Sequence, residues 1–74
     1  MLFRSSTNRA SEAVPHLQTA AKALPGSADV HNNLGEALQQ TGHAGEAREE
    51  FQRALALDPR HPDARRNLDA IARR

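Results

Sequence analysis

The sequence predicts an all-α fold of antiparallel helix-turn-helix units, and three observations carry that prediction. Apolar residues recur at helical spacing, proline and glycine punctuate the chain at regular intervals, and the sequence repeats itself with a period of 34 residues. The 74 residues are 38% hydrophobic, and half of that share is alanine, so the composition favours helix while offering few bulky core residues. At this size a single core seldom supplies more than about 3–5 kcal/mol. There are no cysteines, hence no disulfides and no thiolate metal site.

The first helix carries Ala13, Leu17 and Ala20 and is expected over residues 10–25. Pro15 sets its start: a helix opening at Ser11 keeps Pro15 at the end of the first turn, whereas an earlier start costs about 3 kcal/mol. Residues 1–9 then read as a partial or irregular lead-in, with Leu2 and Phe3 either folded over Leu17 and Leu24 or left exposed. Pro25-Gly26-Ser27 breaks the chain, and Ser27 caps a second helix over 28–40, with Asp29 in its first turn. Val30, Leu34, Ala37 and Leu38 form its apolar stripe. Gly42 suits the left-handed position after that helix. A third helix over about 45–57 carries Ala47, Phe51, Ala54 and Leu55, with Glu49 and Arg53 spaced as an i,i+4 pair. Pro59 ends it. Pro62 opens a fourth helix through residue 74, striped by Ala64, Leu68, Ile71 and Ala72.

Shifted by 34, Ala13 falls on Ala47, Leu17 on Phe51, Ala20 on Ala54, Pro25 on Pro59, and Asn33-Leu34 on Asn67-Leu68. A period of this length in helix-turn-helix units marks a solenoid. Residues 28–61 hold Leu34-Gly35, Leu38, Gly42, Ala47, Phe51, Ala54 and Pro59 in the order and spacing of a tetratricopeptide repeat, and the chain resembles that family. The resemblance implies a short right-handed solenoid: 10–25 as the second helix of a partial repeat, 28–61 as a full repeat and 62–74 as a capping helix. Gly35 would let the partner helix come close, with Phe51 and Leu34 filling the space beside it. Two positions depart from the family pattern. His31 stands where a bulky aromatic or leucine is usual. Asp69 replaces the counterpart of Gly35, as in a helix that receives no close-packed partner. A complete first repeat would need about six more residues before Met1.

Enzyme chemistry has little footing. His16, His31, His43 and His61 are separated by at least eleven residues, and no metal-binding or carboxylate–histidine spacing joins them on one helix face. The glycines form no phosphate loop. Glu46, Glu49 and Glu50 read as a solvated face, and Ser5, Ser6, Ser11 and Ser27 as turn and cap residues. No catalytic, cofactor or metal residue is expected. Without Tyr or Trp there is no stacking platform for single-stranded nucleic acid. Arg60, Arg65, Arg66, Arg73 and Arg74 against Asp63 and Asp69 give the last fifteen residues a net charge of +3, leaving −2 on the remainder. Arg73 and Arg74 fit the negative end of a helix dipole better than a nucleic-acid site. No apolar run approaches about 18 residues, so no membrane partner is expected. No signal-peptide pattern opens the chain, which makes a cytoplasmic location the default.

What remains is recognition of a protein or peptide. By the same resemblance, Asp29, Asn32, Asn33, Glu36 and Gln39 on one helix and Asp63, Arg66, Asn67 and Arg73 on the next would line a concave groove. Asn33 and Asn67 carry the most weight. The stretch His31-Asn32-Asn33-Leu34-Gly35 is similar to repeats of O-linked N-acetylglucosamine transferases, whose asparagines before Leu-Gly form a ladder along the groove. An amide offers both a donor and an acceptor, so it can pair with a peptide backbone whatever the ligand's side chains. The alternative is a structural module, or a piece of a larger repeat protein, that stacks as a homo-oligomer through its end at Leu2 and Phe3.

Overall fold

The computed structural model describes residues 4–73, with side chains described from Arg9 onward. Four helices follow one another: α1 (Arg4–Ala23), α2 (Ala28–Gln40), α3 (Ala44–Leu57) and α4 (Pro62–Ala72). Among the described residues there is no strand. Each helix packs on the next, and α4 also touches α2, as in a short stack of antiparallel hairpins.

The turns follow from local chemistry. Ser27 is extended and its hydroxyl accepts from the Val30 N–H at 3.3 Å, capping α2. At the other end Thr41 Oγ1 donates to the carbonyls of Ala37 and Leu38, Gly42 takes φ +87°, and the His43 N–H returns to Leu38 O at 2.8 Å. That left-handed residue closes α2 and sends α3 back along it. In the α3–α4 link Asp58 Oδ1 accepts from the Arg60 N–H. Pro62 sits in the first turn of α4, where its missing N–H costs nothing.

This return places Leu34 and Leu38 of α2 against Ala47 and Phe51 of α3 in one buried cluster. Val14, Leu17 and Ala21 of α1 and Leu68 and Ile71 of α4 pack on it from either side. Phe51 is fully buried and is the largest side chain so enclosed. The contact it makes explains Gly35: a Cβ built there would lie 2.5 Å from Phe51 Cε1 and 2.7 Å from Cδ1. Only a residue without a side chain lets the ring lie flat against α2 at this point.

Two expectations need correction. The first helix does not open at Ser11 but runs from Arg4, so residues 4–9 belong to it and Pro15 lies inside. Ser11 and Pro15 are both exposed, so water can meet the Ser11 carbonyl that the proline leaves without an N–H partner. The inward face of α1, from Ala10 through Val14 and Leu17 to Ala21, packs on both sides of Pro15 and holds the helix through it. Arg53 pairs with Glu50 at 2.6 Å, not with Glu49. The expected positions of Leu2 and Phe3 lie outside the described residues.

Candidate functional site

The face where α2 meets α4 gathers the polar residues of both helices. Asn67 Nδ2 donates to Asn32 Oδ1 at 3.0 Å and to Glu36 Oε2 at 3.1 Å. Both partners are acceptors, which fixes the amide of Asn67 with its nitrogen inward and leaves its oxygen as the group on offer. Asn32 is buried, while Glu36, Gln39 and Asn67 are half-buried. A second bridge ties the helix starts together. His61, the N-cap of α4, accepts from the Ala64 N–H through Nδ1 at 3.1 Å, so its Nε2–H donates to Asp29 Oδ1 at 2.7 Å. Asp29 keeps most of its side chain in solvent, whereas His61 is buried.

The nine groove candidates therefore divide. Asn32, Glu36 and Asn67 come together through hydrogen bonds, while Asp29 belongs to a separate bridge with His61. Asp63 and Arg66 are exposed neighbours 3.9 Å apart on α4, and Arg73 is exposed at its C-cap. Gln39 is half-buried near the end of α2, and its side chain makes no hydrogen bond to another described residue. Asn33 is exposed and turns toward α1, into a recess of about 400 Å³ with Arg9, Ala13 and Leu17 on its far wall. Asn33 and Asn67 are thus counterparts by sequence with different surroundings: a neighbouring helix already uses the amide nitrogen of one and not of the other.

Two partnerships were not legible in the sequence. His61 was visible only as a loop histidine, although it aligns by 34 with the cap Ser27. His31, in a position the family gives to a bulky residue, is buried with its Nδ1 donating to Glu50 Oε1 at 2.7 Å and Nε2 3.2 Å from the Pro25 carbonyl. Arg53 Nη1 donates to the other oxygen of Glu50 at 2.6 Å. Glu50 is therefore a buried, doubly engaged carboxylate rather than part of a solvated face. Its counterpart expectation fits Glu46 and Glu49, which are exposed.

Among the described residues no three of His, Cys, Asp and Glu come together to hold a metal ion. One hydroxyl lies beside a histidine, Thr41 Oγ1 with His43 Nδ1 at 3.0 Å. Because Thr41 donates to the carbonyls that end α2, the imidazole can only donate to it, the reverse of what a general base requires. No helix among the described residues is long and apolar enough to cross a membrane.

The family model described as tetratricopeptide repeat matches residues 6–70. Cellulose synthase operon protein C of Escherichia coli strain K12 is 40% identical over 50 residues, which is 68% of this chain and 4% of that protein. The putative cellulose synthase operon protein C of Escherichia coli O157:H7 matches to the same extent. The chain thus spans a small fraction of the length of these relatives. No solved structure matches.

Proposed function

The chain belongs to the tetratricopeptide repeat family, and on that premise we propose that it is a protein-interaction module whose α2–α4 face takes an extended peptide segment or a partner helix. In this reading residues 28–61 are the full repeat, α1 is the second helix of a partial one, and residues 62–74 cap the stack. The observation that carries the reading is the hydrogen-bonded row Asn32–Asn67–Glu36. Side chains already locked to one another lose little rotamer freedom when a ligand arrives. The free oxygen of Asn67 and the exposed amide of Asn33 are the groups that would meet a peptide backbone, the role suggested by the likeness to O-linked N-acetylglucosamine transferase repeats.

Charge narrows the ligand. Asp29, Glu36 and Asp63 on this face repel a terminal carboxylate, so an internal segment fits better than a free C-terminus. The face is too short to cover the roughly 800 Å² per partner of a standard interface, and affinity should be modest.

The test begins with peptides selected from a displayed library on the parent chain. Their affinities for the parent and for Asn33→Ala/Asn67→Ala are then compared by calorimetry, with helicity followed by circular dichroism. Losing two hydrogen bonds of about 0.5–1.5 kcal/mol each should weaken binding about tenfold. Equal affinity for the two proteins, or selected peptides that compete with nothing on this face, would remove it as the binding site.

A further inference from the structure

On the opposite side of the molecule α1 and α3 are not neighbours, and a cleft of about 480 Å³ opens between them. Leu34 and Leu38 of α2 form its floor. They lie about half a turn around α2 from Asn32 and Glu36, so this cleft is separate from the polar face described above. Its walls differ in sign. Glu46 and Glu49 stand on the α3 side and Lys22 on the α1 side, all three exposed and without an ion-pair partner among the described residues. Glu50 and Arg53 at one end neutralise each other.

The complementary pattern occurs on the same chain. On α4, Arg65, Asp69 and Arg73 fall in one row by i,i+4 spacing, and all three are exposed. Two cations flank one anion there, where the cleft has two anions facing one cation. The chain's charge is divided in the same sense, −2 before residue 60 and +3 from there on. Within one molecule no ion pair joins the two sets among the described residues, and α4 makes no contact with α1. Asp69 is also the residue that replaces the glycine of the preceding unit, so the outer face of α4 suits a charged contact rather than a close-packed helix.

We propose that α4 of one copy docks on the cleft between α1 and α3 of a second copy. An arginine of the row lays its aliphatic stem over Leu34 and Leu38 with its guanidinium between Glu46 and Glu49, and Asp69 meets Lys22. The surfaces on the two partners are different, so the contact is heterologous and propagates head to tail. Because its charges are exposed, the association is weak and sensitive to salt.

Sedimentation velocity on the full chain, from micromolar to millimolar protein, tests this at about 20 mM and about 500 mM salt. The parent should sediment faster as its concentration rises at low salt and as a monomer at high salt. Glu46→Gln/Glu49→Gln and Arg65→Gln/Arg73→Gln each alter exposed positions and should remain as helical as the parent by circular dichroism. Each alone should stay monomeric. Mixed in equal amounts they should form a complex that stops at two chains, since each retains one working surface. A parent that is monomeric throughout at low salt overturns the proposal. So does assembly that survives either pair of substitutions, or a parent that assembles while the mixture does not.

Discussion

Phe51→Ala should remove about 3–5 kcal/mol of stability, the usual cost of deleting a fully buried aromatic ring. That equals what the whole core of a chain this size can be expected to supply. The loss falls where it does most harm. The Phe51 cluster joins α2 to α3, and residues from both α1 and α4 pack on it, so every helix leans on the cluster this ring fills. The expected result is a variant whose far-ultraviolet circular dichroism declines gradually on heating, with no cooperative transition. A sharp melt within a few degrees of the parent would show that the ring is not the centre of the packing.

Gly35→Leu should produce the second largest effect by the opposite route. The ring of Phe51 already occupies the place of a Cβ at this position, and it has no solvent-facing direction in which to retreat. Overpacking of this kind costs about 1–3 kcal/mol. Alanine would be a poorer test, since its helix propensity returns about 1 kcal/mol relative to glycine. The decisive version combines Gly35→Leu with Phe51→Leu, the residue that Leu17 supplies at the equivalent position of α1. If the two sites touch, the smaller partner relieves the clash and the losses are strongly non-additive. Melts in a stabilising osmolyte keep all four members of the cycle folded enough to measure. Simple additivity would say that α2 and α3 do not approach at this point.

Most of the helical framework could be read from residues that act locally. Ser27 and Pro62 mark helix starts through their own side chains or ring, and Gly42 marks a helix end through its backbone freedom. Gly35 and Phe51 could be paired because the repeat supplies their register. The start of α1 could not be read in this way. Pro15 signals a boundary by its local chemistry, and only the packing of α1 on α2, together with the exposure of Ser11, shows why the helix continues through it. The site was half legible. The sequence placed the polar residues of α2 and α4 on a common surface but could not distinguish Asn33 from Asn67, whose difference depends on which neighbouring helix is present. His31 and Glu50, nineteen positions apart, became partners only once α2 and α3 were set side by side. Glu50 and Glu49 look alike in sequence, and one residue of helical rotation separates a buried, hydrogen-bonded carboxylate from a solvated one.

The approach of α2 to α3 at Gly35 underlies the pairing, and the pairing positions both the α2–α4 face and the cleft behind it. Proton NMR can examine it directly, because Phe3 and Phe51 are the chain's complete set of aromatic carbocycles and their ring signals are readily separated. The α-protons of Gly35 should give strong nuclear Overhauser cross-peaks to the Phe51 ring and be displaced upfield by its ring current. Gly35 α-protons at ordinary shifts, without cross-peaks to Phe51, would contradict the helix pairing and with it the surfaces built on that pairing.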